Sequence, residues 1–288
     1  LHLADALGAE IVSLDSMAVY RGMNIGTAKP SRSARAAVPH HLLDVVDPHE
    51  EYSLAEYVNA ADSVCREILG RGRVPLFVGG TGLYLRGILR GVFNGPSADW
   101  DFRQKLQSSA ESEPEGLHRR LQEIDPVSAG NIHPNDVRRV IRALEVHHLT
   151  GRPLSEQQQQ LPLPADQRPR HVEWISPPRA WLYQRIDRRV DEMLATGLLA
   201  EVERLYSAGQ PMCRTARQAL GYKELISHLH GKTSLDETIV TIKSRTRQFA
   251  KRQHTWFRNL VECRPIPMTG EESSAELARR ILEKDGRE

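Results

Sequence analysis

The chain has 288 residues, 39 Lys+Arg against 37 Asp+Glu for a formal net charge of +2, and 40% hydrophobic with 26% charged residues. That length suits two domains of roughly 100–200 residues each, and the composition excludes disordered and collagen-like chains. No window approaches the roughly 18 consecutive apolar residues of a membrane helix, and the first residues lack the basic flank and apolar core of a secretory signal. Cys65, Cys213 and Cys263 are odd in number, far apart and without C-x-x-C spacing. They argue against a disulfide framework or a cysteine zinc site and point to a cytoplasmic protein. A net charge so near neutral is silent about nucleic acid, so any such case rests on where basic residues cluster.

In chain order, residues 1–8 read as the end of a helix stopped by Gly8. Residues 9–14 (Ala-Glu-Ile-Val-Ser-Leu) form a strand running into Asp15-Ser16, and residues 41–46 form a second strand candidate closed by Asp47-Pro48. Ser53-Leu54-Ala55-Glu56 is a capping box opening a helix to about Arg71. Residues 75–78 are a short apolar strand ending in Gly79-Gly80-Thr81-Gly82, after which helical spacing resumes. Strand, helix, strand, glycine turn and helix in this order predict a parallel α/β core.

From about Pro96 the pattern turns helical, with stretches over 100–110, 116–124 and 135–149, the last capped by Asn135 and stopped by Gly151. Residues 157–164 (Gln-Gln-Gln-Gln-Leu-Pro-Leu-Pro) read as a linker. A strand over 171–175, helices to about Phe257, a short strand over 263–267 and a last helix after Glu272 complete the chain. The expected organisation is an α/β core of residues 1–95 and 171–288 interrupted by a helical insertion of residues 96–170.

Asp15 and Thr81 each follow a predicted strand, and ligands of parallel α/β sheets bind at the carboxyl ends of strands. Strand direction therefore brings a carboxylate and a hydroxyl into one cleft. Gly79, Gly80 and Gly82 allow close approach of an anion to backbone N–H groups and a helix N-terminus; a plain βα turn is the alternative, as a helix cap is for Asp15-Ser16. On the helix from Gln184, Ile186, Val190 and Met193/Leu194 face a core. Arg185 and Arg189 share another face that either clamps a phosphate or is solvated beside Asp187, Asp191 and Glu192. Residues 243–258 hold six Lys/Arg and no acid, interleaved with Phe249, Trp256 and Phe257. Charge with aromatic faces suits an RNA backbone and an unstacked base; the alternative is a helix whose aromatics are core. Arg138, Arg139 and Arg142 form a second basic group. His40 and His41 near Asp44 and Asp47 do not have metal-ligand spacing.

Several blocks in order across nearly the whole chain resemble tRNA dimethylallyltransferases. They are Asp15-Ser16-Met17-Ala18-Val19-Tyr20 through Gly26-Thr27-Ala28-Lys29-Pro30, His41-Leu42-Leu43-Asp44, Val78-Gly79-Gly80-Thr81-Gly82-Leu83-Tyr84, His133-Pro134-Asn135-Asp136 with Arg142-Ala143-Leu144-Glu145, Gly221-Tyr222-Lys223-Glu224, and residues 251–258. The resemblance implies a P-loop-kinase-like fold with an inserted helical domain that grips the tRNA anticodon stem. It implies transfer of a dimethylallyl group from dimethylallyl diphosphate to N6 of the adenosine 3′ of the anticodon, adenosine-37, with Mg²⁺ mainly on the diphosphate, by a cytoplasmic monomer. By the same resemblance Asp15 is the general base, Thr81 contacts phosphate and tRNA, and Arg189, with Gly79 and Gly80, holds the diphosphate. The segments matching tRNA contacts are Asp15, Ser16, Met17 and Ala18; Arg138, Arg139, Val140, Ile141 and Arg142; Gln218, Ala219, Leu220, Gly221, Tyr222 and Lys223; and Lys251, Arg252, Gln253, His254, Thr255, Trp256, Phe257 and Arg258, with Arg103 a further candidate.

The family's phosphate loop, ending in Gly-Lys-Thr/Ser, is absent from residues 1–288. The expectation is a segment upstream of Leu1 that carries it, because without its strand an α/β sheet exposes an edge. Three other readings stay open on the residues: prenylation of free AMP or ADP, phosphoryl transfer by a small-molecule kinase, and an inactive tRNA-binding protein.

Overall fold

The computed structural model of the chain describes residues 1–93, 95–112, 115–158, 160–169 and 171–285. The chain divides into two compact units, residues 1–89 with 162–288 and residues 90–161, where the sequence expectation set the insertion at 96–170. Gln159 of the predicted linker and Arg170 at the expected end of the insertion lie outside the described residues.

The larger unit opens with α1 (His2–Ala6), β1 (Ala9–Leu14), α2 (Arg32–Ala37), β2 (His40–His41), α3 (Leu54–Gly70), β3 (Val74–Gly79) and α4 (Gly82–Arg90). The three strands form a parallel sheet in the order β2-β1-β3. All six residues of β1 are buried, as a central parallel strand covered on both faces requires. Ala9 and Ile11 pack with Ala4 and Val38. Val12 and Leu14 point the other way, into a cluster with Tyr57, Ala61 and Ile68 of α3 and Tyr84 of α4. The Ser53 capping box is formed, satisfying two backbone donors that begin α3. Val74 and Val78 on β3 are exposed.

The strand expected over 41–46 is not continuous. Leu42 and Asp44 take positive φ angles of 59° and 55°, which no extended strand accommodates. The chain turns at that point, and Val45 and Val46 then donate to the Val19 carbonyl. The apolar alternation was real, but it serves two short pairings on either side of a bend.

Residues 90–161 contain α5 (Trp100–Ser112), α6 (Gly116–Ile124), α7 (Pro126–Asn131), α8 (Val137–Thr150) and α9 (Leu154–Gln157) around a core of Leu106, Leu117, Leu121, Val140, Ile141 and Leu144. Asp136, not Asn135, caps α8, its side chain accepting from the Arg139 N–H, and Gly151 ends it at φ 69°. The expectation missed α7, whose start is set by Asp125 accepting from Ser128 N–H and by Pro126 in the first turn.

The larger unit resumes with β4 (Glu173–Ser176), α10 (Arg179–Ala195), α11 (Leu198–Tyr206), α12 (Arg214–Arg217), α13 (Tyr222–Leu229), α14 (Leu235–Asn259), β5 (Arg264–Pro267) and α15 (Ser274–Asp285). β4 and β5 pair in parallel. The helices bury Val190, Leu198, Val202, Tyr222, Leu225 and Ile242 against Val19, Tyr20 and Met23. That packing seats the segment after β1 on the helical layer. Among the described residues no helix is long and apolar enough to cross a membrane.

Candidate active site

β1 and β3 run parallel in the register Leu14↔Gly79, so the residues that follow them emerge side by side. A Cβ at Gly79 would overlap the Leu14 carbonyl, and only glycine permits that approach. The Thr81 N–H donates to Leu14 O at 3.0 Å, and the Ser16 N–H donates to the Thr81 hydroxyl at 3.0 Å. Asp15, between Leu14 and Ser16, is thereby held next to Thr81, as strand direction predicted. One Asp15 oxygen, Oδ1, accepts from the N–H groups of Met17 at 2.8 Å and Ala18 at 3.3 Å. This turn around the carboxylate fixes its orientation and leaves Oδ2 without a hydrogen bond among the described residues.

Behind the carboxylate, Tyr57 and Tyr84 stack with ring centroids 3.8 Å apart. The Tyr57 hydroxyl donates to the Ser13 carbonyl at 2.9 Å. Burial drives the Tyr84 phenol well above its ordinary range, with Tyr52 and Asp15 adding to the effect. The Tyr84 hydroxyl stays protonated at neutral pH.

Arg189 on α10 feels the charge of Asp15. Desolvation lowers its pKa while the Asp15 charge raises it and Arg185 lowers it. It is a guanidinium that the Asp15 charge acts on and that forms no ion pair among the described residues. Its neighbours on α10 are committed elsewhere: Arg185 lies 5.3 Å over Trp181, Arg188 pairs with Glu192, and Asp187 and Asp191 pair with Arg247 and Lys243. Of the two readings of the Arg185/Arg189 face, the solvated network holds for its neighbours and not for Arg189. Arg189 also lines a cleft of about 630 Å³ with Lys29, Arg32, Arg35 and Asp44.

The segment after Asp15 is fixed chiefly by Glu201, which the sequence did not flag. Glu201, buried on α11, accepts from the N–H groups of Asn24, Ile25 and Gly26, and the Tyr222 hydroxyl donates to it at 2.5 Å. Lys29 and Arg35 both pair with Asp44. Burial lowers the Lys29 pKa against the pull of Asp44; for Asp44, burial raises it and the two cations more than reverse that. A glutamate at an ordinary helical position carries no sequence sign of such a task.

Half of the basic stretch on α14 is neutralised. Lys243, Arg245 and Arg247 pair with Asp191, Glu224 and Asp187. Lys251, Arg252 and Arg258 are exposed, with Arg252 over the Phe249 ring at 5.7 Å. The aromatics divide too: His254 and Phe257 pack on Trp174 of β4 at 4.7 and 6.1 Å, whereas Phe249 remains 42% exposed. Arg245, Arg252, Gln218, Leu220 and Lys223 line a second cleft of about 620 Å³ between the α12–α13 turn and α14.

Burial divides the segments expected to contact tRNA. Ala18, Val140, Ile141, Ala219 and Tyr222 are buried, so their side chains belong to the core. Arg103 and Arg142 both bond to Glu145, which is fully buried, and Glu145 also accepts from the Asp99 N–H. Their first task is to pair a buried carboxylate, which is costly to leave alone. Arg138 and Arg139 on the same helix are exposed. His41 bonds to Glu10 and His40 to the Val38 carbonyl; among the described residues no group of three or more His, Cys, Asp or Glu could hold a metal.

A family model described as IPP transferase matches residues 18–260. The tRNA dimethylallyltransferase of Pelotomaculum thermopropionicum is 46% identical over 263 residues, covering 91% of this chain and 83% of the relative. That of Geobacter metallireducens is 48% identical over 260 residues, covering 90% and 84%. Among solved structures, the full-length tRNA isopentenylpyrophosphate transferase of Bacillus halodurans is similar with a TM-score of 0.70 and 40% identity, over 99% of this chain and 89% of that one. A eukaryotic dimethylallyltransferase acting on tRNA is similar with a TM-score of 0.76 and 30% identity, over 99% and 74%.

Proposed function

The chain belongs to the IPP transferase family, and on that premise we propose that it transfers a dimethylallyl group from dimethylallyl diphosphate to N6 of adenosine-37 in tRNA. The observation that carries the assignment of roles is the Ser16–Thr81 hydrogen bond, which sets a carboxylate with one open oxygen beside a hydroxyl and a glycine-rich turn.

The N6 lone pair of adenine is delocalised into the ring, so the amine attacks only as its proton leaves. Asp15 Oδ2 takes that proton while the N6–C1 bond of the dimethylallyl group forms and the C1–O bond to diphosphate breaks. Negative charge grows on the departing oxygen. Arg189, the Thr81 hydroxyl and the backbone N–H groups at the start of α4 meet it without reorganising. The lone carboxylate and two hydroxyls here, Asp15, Ser16 and Thr81, make no metal cage. That donor set suits Mg²⁺ carried by the diphosphate and water, with few protein ligands, where it supplies charge neutralisation for the leaving group.

The adenine must leave the anticodon-loop stack to reach Asp15, at a cost of typically a few kcal/mol. Lys251, Arg252 and Arg258 with the exposed Phe249 supply charge and a stacking face toward RNA. Arg138 and Arg139 supply the basic surface of the helical unit for the anticodon stem. The protein acts as a cytoplasmic monomer in this reading; its cysteines are free.

The test is incubation with tRNA and dimethylallyl diphosphate labelled in the dimethylallyl group, followed by nucleoside analysis. Label in N6-dimethylallyladenosine at position 37 supports the reading. Efficient competition by free AMP, or label transfer from ATP instead, would replace it by nucleotide prenylation or by kinase chemistry.

A further inference from the structure

The Gln253 side chain is turned inward. Its Nε2 donates to the Gly80 carbonyl at 2.9 Å, between residues 173 apart in the chain, and a Cβ at Gly80 would overlap that amide. One turn later Trp256 closes on Gly82, where an added Cβ would lie 2.9 Å from the indole. Arg86 of α4 sits over the same ring at 5.6 Å. Gly80 and Gly82 flank Thr81, so α14 grips both sides of the residue that bonds to Ser16. At about 3.6 residues per turn, Lys251 and Arg258 fall on the far side of the helix from Gln253, and both are exposed. One helix therefore carries positive charge on one side and holds the turn around Thr81 with the other.

We propose that Gln253 is a positioning residue that links tRNA seated on α14 to the placement of the Thr81 hydroxyl, through the Gly80 carbonyl, and is not itself an RNA contact. The proposal rests on the reading of α14 as the RNA-binding helix and of Thr81 as a contact to the leaving group. An RNA contact acts on tRNA affinity. A bond that sets the geometry of the reacting groups acts on turnover with tRNA already bound.

The experiment compares wild type, Gln253→Leu and Gln253→Glu in the full chain. It measures tRNA Kd by filter binding, and kcat with saturating tRNA and dimethylallyl diphosphate. Leucine keeps the bulk and loses the donor. Glutamate keeps the shape but donates only when its carboxyl is protonated. Both variants are expected to lose about tenfold or more in kcat, the scale at which small misplacements act, with tRNA Kd within about twofold of wild type. In Gln253→Glu, kcat relative to wild type rises as pH falls toward the ordinary carboxyl range, and Gln253→Leu shows no such recovery. That recovery also separates positioning from a folding defect, which low pH would not repair.

A raised tRNA Kd with wild-type kcat makes Gln253 an RNA contact and overturns the proposal. So does wild-type kcat in both variants, or a glutamate variant without the pH response. Wild-type protein that transfers no label to tRNA overturns the functional reading along with it, and is told apart by that first control.

Discussion

Ser16 and Thr81, 65 positions apart in the chain, are joined by a 3.0 Å hydrogen bond from the Ser16 N–H to the Thr81 hydroxyl. This bond ties the ends of two neighbouring parallel strands and sets the distance between Asp15 and the glycine turn. Thr81→Val removes the acceptor and leaves the partly buried Ser16 N–H without it, a loss of about 1 kcal/mol. The expected outcome is a fall in kcat of at least about tenfold, measured with saturating substrates. Thr81→Ser keeps the hydroxyl and should retain most of the activity.

Asp15→Asn tests the proton acceptor without disturbing the turn. The asparagine oxygen still accepts from the Met17 and Ala18 N–H groups, the two bonds that orient the native side chain. Turnover should drop by about 10²–10⁴ while tRNA Kd stays near that of wild type. Equal losses in binding and turnover would count against the base role.

On its proposed role of meeting both ground-state and departing diphosphate, Arg189→Ala should raise KM for dimethylallyl diphosphate and lower kcat together. Arg185→Ala, which removes a guanidinium stacked on Trp181, should change both parameters far less. Steady-state kinetics with varied diphosphate separates the two.

Glu201→Ala removes the acceptor of three backbone N–H groups and of the Tyr222 hydroxyl in one step. Leaving the buried Tyr222 hydroxyl and three partly buried backbone donors unpaired should cost about 3 kcal/mol, read as a lower urea midpoint. Tyr222→Phe loses one bond to a charged acceptor and should cost about 1.5–3 kcal/mol.

Glu10 gives the fold an acid limit. Hydrogen bonds from Arg71 and His41 outweigh its burial and bring its carboxyl from 4.5 down to about 2. A carboxyl whose pKa is lower in the folded chain binds protons more readily when unfolded. Its stabilisation is thus complete above about 4.5 and is lost as pH falls toward 2. Urea unfolding across that window should show a shallower pH slope for Glu10→Gln than for wild type.

Periodicity and capping residues alone determined β1, α3, β3, α10 and the change to helices after Pro96, because each depends on neighbours within a few positions. The placement of Asp15 beside Thr81 was also legible, since parallel strands put their carboxyl ends on one side of the sheet whatever the rest of the chain does; their roles came from the family resemblance alone. Local pattern could not say that residues 41–46 bend at Leu42, because the bend is paid back only by pairing with Val19 and Tyr20. It could not separate α14 into paired and open cations either: Asp187, Asp191 and Glu224 are far from α14 in sequence. Nor could it show that Glu201 fixes residues 24–26, that Glu145 engages Arg103 and Arg142, or that Gln253 faces Gly80. Those are long-range polar contacts, and a side chain's partner in such a contact is decided by packing of helices onto the sheet, which no spacing along the chain encodes.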